Sequence, residues 1–290
     1  MVPADRCRSL GPVIDKSMQL TSVHTYPIKS CHRIDHDGPV RVEPWGLSGD
    51  RRWLIVDPDG ILVTQRECPV MARIRPEPRP GGGLILRSPG MPDLVVPEPS
   101  TAARVPASVW GDGMQAAPAG EEVGQWLTKL MDRPARLVWL DDPTQRTVDP
   151  AYAQPTDRVS FADAYPLLLT NAASLDALNG WMVEAGSPEA PLPMTRFRPN
   201  VVVSGAEPWA EDDWVGRRLR IGEVTFRAVK PCDRCVVTTT DQETGERGRE
   251  PLRTLARYRN VNQKLMFGLN LIPDPPFGQI APGDPVVLVS

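Results

Sequence analysis

The sequence predicts a mainly β protein of two packed, barrel-like domains with a few helices. Three observations lead there. Short apolar runs recur between Pro and Gly, with 33 prolines and 23 glycines spread along the 290 residues, the pattern of barrels and sandwiches. Only three stretches carry a helical period. The chain is long enough for two ordinary domains, and at 41% hydrophobic residues it can fill two cores.

In chain order, strands are expected at "LTSVHTY" (20–26), "RWLIVD" (52–57), "GLILRS" (83–88), "DLVV" (93–96) and "ARLVWL" (135–140). Later strands are expected at "PLLLT" (166–170), "NVVVSG" (200–205), "RLRIGEVTFRAVK" (218–230), "CVVTTT" (235–240) and "PVVLVS" (285–290). Within 218–230 the Gly222-Glu223 step reads as a hairpin turn, and "DPDG" (57–60) joins two strands. "PEPRPGGG" (76–83) reads as a loop inside a barrel, because strands resume at once. In "EEVGQWLTKLM" the apolar residues Val123, Trp126, Leu127, Leu130 and Met131 follow helical spacing. "NAASLDALNGWMVEAG" opens on a capping Asn171, stops at Gly186 and places Leu175, Leu178 and Met182 on one stripe. "EPLRTLARYRN" has Pro251 in its first turn and basic residues toward its end. Trp126 and Trp181 fall at core spacing on the first two helices. The division expected is a leader over 1–18, a first domain over 19–145 and a second over 146–290. The boundary lies in the polar, proline-rich "DDPTQRTVDPAYAQP".

A formal charge of −3 argues against a nucleic-acid partner. No apolar run approaches the roughly 18 residues of a membrane span, and the first 18 residues lack the apolar core of a signal peptide. Five cysteines, Cys7, Cys31, Cys68, Cys232 and Cys235, are too few and too scattered for a disulfide framework. Reduced thiols in a cytoplasmic protein are the expectation.

The chemistry concentrates in "VKPCDRCVVTTTDQETGER" (229–247). A C-x-x-C can be half of a zinc site, a redox dithiol, or one working thiolate with a bystander. Zinc needs about four N/S ligands, and the only other set is Cys31, His32 and His36. A thioredoxin-like dithiol opens a helix, whereas three threonines after Cys235 favour a strand. Lys230, Asp233 and Arg234 crowd the pair, which points to one exposed thiolate kept ionised by positive charge or metal.

"CDRCVVTTTDQETG" resembles the signature of the MOSC domain, also found at the C-terminus of molybdenum cofactor sulfurases. Over residues 19 to 290 the chain resembles the amidoxime-reducing components, through "YPIKSC" (26–31), "GDRRWLIVD" (49–57), "FADAYPLLLTNAASLDALN" (161–179), "RFRPNVVVSG" (196–205), "EPLRTLARYR" (250–259), "FGQ" (277–279) and "GDPVVLV" (283–289). The resemblance implies a MOSC N-terminal β-barrel domain followed by a MOSC β-barrel, and a bound molybdenum cofactor. It implies Cys235 as the protein ligand to molybdenum, a soft thiolate suited to a metal already held by two pterin sulfurs, with Cys232 beside it. Lys29, Ser30, Arg51, Arg198 and Asn200 would bind the cofactor's phosphate. Arg52 stands where the family often has an aromatic residue. Asp163 would deliver protons or orient pterin N–H groups; Ala164 follows it where some relatives carry threonine. Ser174 and Thr238 are further cofactor-binding candidates, with helix-cap and strand-face roles as their ordinary readings.

The implied activity is reduction of N-hydroxylated compounds, amidoximes and hydroxylamines, by oxygen removal at a Cys-ligated molybdenum. The 290 residues hold neither the clustered cysteines of a fused ferredoxin nor the membrane anchor of the mitochondrial relatives, so a separate electron donor is expected: a haem, flavin or iron–sulfur protein. The rival expectation is a sulfur carrier or cofactor-handling protein with a persulfide on Cys235.

Overall fold

The structure is a computed structural model that describes residues 18–289. Seven strands close into a barrel. Leu167–Asn171 runs parallel to Val201–Ser204, which pairs antiparallel with Met18–Thr25, and that strand with Pro285–Val289. Pro285–Val289 pairs with Arg218–Ile221, the hairpin at Gly222 leads into Val224–Asp233, and Lys264–Asp274 joins this strand to Leu167–Asn171. Alternation sends Leu219, Ile221, Val224, Phe226 and Ala228 inward among Leu20, Val203 and Leu271, while Arg218 and Arg220 stay exposed.

Residues 53–139 build an open half-barrel. Its main sheet has Trp53–Val56, Arg136–Trp139, Asp112–Pro118 and Val105–Val109 in that order, beside a smaller sheet of Arg75–Pro78, Leu84–Arg87 and Leu94–Val96. Helix α1 (Glu121–Met131) seats Val123, Trp126, Leu127 and Met131 against Leu84, Leu86 and Leu137. Helix α2 (Ala172–Glu184) is capped by the Asn171 side chain, which accepts from the Ala173 N–H at 3.1 Å. It buries Leu178 and Met182 against Phe197, Phe267 and Leu255, the last from helix α3 (Leu252–Tyr258).

Sequence and structure differ at several places. The strand Met18–Thr25 belongs to the barrel of the second half, so the sheets do not divide where the chain does. Val40–Glu43 likewise pairs with Gln279–Ile280. Residues 1–17 of the expected leader, with Cys7, lie outside the described residues, and Met18 already opens a strand. The strand expected at 235–240 is instead a 3₁₀ turn, Val236–Thr239; Thr238 and Thr239 each turn a hydroxyl back to the carbonyl three residues earlier, Cys235 at 2.9 Å and Val236 at 2.8 Å. Such local bonds compete with a ladder. The eleven-residue strand Lys264–Asp274 was not expected, because Gly268 and Pro273 interrupt its pattern. Gly268 sits at φ +84°, and a Cβ there would lie 2.7 Å from the Leu169 carbonyl oxygen, at the seam that closes the barrel. "PEPRPGGG" also holds part of a strand, Arg75–Pro78, before its turn.

Among the described residues no helix is long and apolar enough to cross a membrane.

Candidate functional site

A cleft of about 410 Å³ opens where the halves meet. The segment after the first strand forms one wall. The Tyr26 N–H donates to Asp50 Oδ1 at 2.7 Å and the Lys29 N–H to the Trp53 carbonyl at 2.9 Å. Lys29 and Ser30 are thus locked to the half-barrel while facing the cleft. Arg51 donates to Asp50 Oδ2 at 2.5 Å and Asn200 Oδ1 at 2.9 Å. The Arg51 and Arg198 guanidiniums lie 4.4 and 4.2 Å from the centroid of the buried Tyr26 ring. Arg198 also donates to Gln242 Oε1 at 2.7 Å. Gln242 exchanges a reciprocal pair of amide hydrogen bonds with Gln65, at 3.1 and 3.0 Å, tying the second half to the first.

The opposite wall is the loop 160–165. The buried Arg146 guanidinium donates to the carbonyls of Ser160, Ala162 and Asp163, fixing that loop. The Asp163 carboxylate accepts from Lys29 Nζ at 2.5 Å and from the Trp110 indole N–H at 3.1 Å. Arg66 stacks on Trp110 at 4.4 Å.

The thiols come from the strand Val224–Asp233 and the turn that follows. Two bulges, at Ala228/Lys230 and Pro231/Asp233, break its alternation and aim Lys230, Cys232 and Asp233 at the cleft. Cys235 precedes the 3₁₀ turn, and its carbonyl accepts from the Thr238 N–H at 3.1 Å and the Thr238 hydroxyl. Arg196, also buried, holds the turn's far end through the Thr239 carbonyl at 2.8 Å. Arg234 serves the other thiol: its Nη1 lies 2.8 Å from Cys232 Sγ and its Nη2 donates to the Phe197 carbonyl at 2.6 Å.

The cleft thus gathers Lys29, Ser30, Arg51, Asp163, Arg198, Asn200, Cys235 and Thr238. Two of these act through neighbours. Asn200 is buried with its amide committed, Nδ2 to the His24 carbonyl and Oδ1 to the Leu168 N–H and Arg51, so it orients Arg51. Thr238 supports the Cys235 backbone. Ser174 is not in the cleft: fully buried on α2, its hydroxyl donates to Glu211 at 2.8 Å and accepts from the Trp209 N–H. That corrects its place among the cofactor-binding candidates.

Arg66, Trp110 and Tyr165 line the cleft without having been singled out in the sequence. A bulky indole at a glycine turn, "SVWGDG", was the available signal for Trp110. Ser30, Arg51, Trp110 and Arg198 all hold positive φ, from 46° to 65°, and such non-glycine strain concentrates at functional sites.

Six basic side chains and two carboxylates line the cleft, in a chain whose formal charge is −3. This is a local field for an anion. Burial pushes the Lys29 ammonium down to about 8, with Asp163 opposing. Burial raises the Asp163 carboxyl, but Lys29 and the hydrogen bonds from Lys29 and Trp110 outweigh it and hold the group well below the usual carboxylate range. Its side chain is walled by protein yet 71% open to the cleft. Burial brings Arg198 down to about 10, still charged at neutral pH. Burial raises the Cys232 thiol, with Arg234 opposing.

The Lys29 charge is present below about pH 8 and is lost as pH rises through that value. Sulfate keeps a constant charge over this range, so it is expected to bind several-fold more weakly at about pH 9 than at about pH 6.5. Titration calorimetry reads this directly, and Lys29→Met should remove the pH step.

Among the described residues no three His, Cys, Asp or Glu side chains form a metal-binding group. Cys31 is buried in the half-barrel core, and His32 bonds Glu243. The cleft offers two thiols, Cys232 and Cys235, beside a basic lining, a donor set compatible with a thiol-ligated group that carries negative charge.

Residues 17–134 match the MOSC N-terminal beta barrel domain and residues 156–287 the MOSC domain. The chain is 35% identical over 285 residues to mitochondrial amidoxime-reducing component 1 of Homo sapiens, covering 91% of this chain and 81% of that protein. It is 33% identical to the Danio rerio protein of the same name, covering 84% and 76%. It is 30% identical to the molybdenum cofactor sulfurase of Oryza sativa subsp. japonica, covering 89% of this chain and 34% of that protein. The mitochondrial names give no support to a cytoplasmic location.

Proposed function

The chain belongs to the MOSC-domain family that includes the amidoxime-reducing components, and from that premise we propose that it is a molybdenum-cofactor-binding oxidoreductase reducing amidoximes and hydroxylamines. One observation carries the reading: the cleft joins the Cys235 thiol to cationic residues from distant motifs, Lys29, Arg51 and Arg198, in a single cavity.

When bound, the cofactor supplies the two-electron chemistry that removes oxygen from an N–OH group. Cys235 would be its protein ligand. Arg198 and Arg51 would present planar donors to its phosphate, and Lys29 and Ser30 would complete that anion site. Asp163 stays ionised, so it orients Lys29 and Trp110 and accepts from N–H donors. Lys29 Nζ holds its proton against the Asp163 carboxylate at 2.5 Å, in a group whose charge is lost above about pH 8. The sum is R–NHOH plus two electrons and two protons, giving R–NH₂ and water, with a separate redox protein as donor.

The test is purified protein from a host that makes the cofactor. Molybdenum and pterin at about one per chain, with benzamidoxime reduced by an artificial donor, supports the reading. Metal-free protein carrying a persulfide on Cys235 would overturn it in favour of sulfur transfer.

A further inference from the structure

An unbroken line of aromatic rings runs from the surface to the cleft, outside the residues that form the anion site. Tyr258, at the end of α3 and 40% exposed, stacks on Trp181 of α2 with centroids 4.5 Å apart. Trp181 stacks on Trp209 at 5.2 Å, and Trp209 meets Phe267 edge-on at 5.9 Å. Phe267 stacks on Phe197 at 3.7 Å, and Phe197 lines the cleft. Rings at these separations are in contact. Electron tunnelling decays steeply across packing gaps, so a contact path from surface to cavity is a favoured one.

The α3 segment at the outer end of this line carries exposed basic side chains, with the carboxylates of Glu184 on α2 and of Glu189, which accepts from the Arg249 N–H at 2.9 Å, beside it. From 249 to 264 the only carboxylate is Glu250, which is buried and accepts from the Thr254 N–H at 3.0 Å. Arg249, Arg253, Arg257 and Lys264 are all exposed. Arg253 and Arg257 are four apart and share one face of α3, and the Arg257 guanidinium lies 5.1 Å from the Tyr258 ring. Arg259 turns inward, over Trp209 at 4.3 Å, with its charge met by Asp212. Tyr258 and Val261 give this face an exposed apolar centre. An exposed apolar centre flanked by Arg253, Arg257 and Lys264 fits a partner whose contact surface is acidic.

We propose that this face of α3 docks an acidic, one-electron redox protein and that the aromatic line leads its electrons to the cleft. The proposal rests on the reductase reading. Two docking events, each oxidising one donor by one electron, together with two protons from water, balance the reduction of one N–OH group to N–H and water.

The test uses the full chain and an acidic plant-type [2Fe–2S] ferredoxin as probe. Titrated at low salt, the ferredoxin is expected to bind the Arg253→Glu/Arg257→Glu variant about tenfold or more weakly than wild type, with the wild-type affinity falling as salt is added. With reduced ferredoxin as donor, kcat/KM should fall by a similar factor, while turnover driven by reduced methyl viologen stays unchanged. Trp181→Leu should lower kcat with ferredoxin, leaving its KM and the viologen rate in place. Equal ferredoxin binding by wild type and the double variant overturns the proposal, as does viologen turnover without ferredoxin turnover. Binding to phosphatidylserine vesicles that the double variant loses, with ferredoxin binding unaltered, also overturns it. If viologen drives no reduction at all, the reductase reading fails, and the binding titration still decides the docking face.

Discussion

Serine in place of Cys235 is expected to lower benzamidoxime reduction by more than about 100-fold, beyond what loss of an outer partner of a metal site costs. A soft thiolate is exchanged for a hard hydroxyl at the one position the protein offers to molybdenum. The fold has little stake in that side chain. Cys235 is only half-buried, and what anchors the turn is its carbonyl, gripped by the Thr238 N–H and hydroxyl. The variant should therefore melt close to wild type, separating lost chemistry from lost structure. Cys232→Ser is the internal control. That thiol is raised by burial and engaged by Arg234, so its loss is expected to leave most of the turnover.

Arg198→Ala should weaken cofactor retention by roughly 10- to 100-fold, the range for losing one charge-assisted hydrogen bond of about 1.5–3 kcal/mol. The effect is large because Arg198 sits beside Arg51 over one ring, and burial already strains its charge. An anion relieves two neighbouring cations at once. Arg198→Lys should recover only part of the loss, since a point charge replaces a planar fork. Gln242 keeps its reciprocal pair with Gln65 in both variants, so the halves stay joined. The rate at which pterin leaves the protein on dialysis measures the effect.

The parts legible in the sequence were those with local physics. The stripe of Val123, Trp126 and Leu127 defined α1 to the residue, and Asn171 marked the start of α2 because its cap is made within two residues. The Gly222 hairpin was legible for the same reason. What stayed hidden was long-range. Nothing local to Met18–Thr25 says that, besides its sequence neighbour Ile34–His36, it pairs with the distant Val201–Ser204. Gly268 reads as a breaker until the Leu169 carbonyl it accommodates is known. "VVTTT" has strand composition, yet its hydroxyls close a turn. Ser174 lay inside a matching motif, but its hydroxyl bonds Glu211, which no periodicity connects to it. The thiol and the basic motifs could be named from the sequence; that Asn200 works through Arg51, and that Trp110 and Arg66 complete the wall, needed the fold.

The most direct measurement is molybdenum and pterin content per chain for wild type, Cys235→Ser and Cys232→Ser, prepared side by side from a host that makes the cofactor. The expected contents are about one, near zero, and about one. Full molybdenum retained in Cys235→Ser would contradict the assignment of that thiolate as the metal's protein ligand.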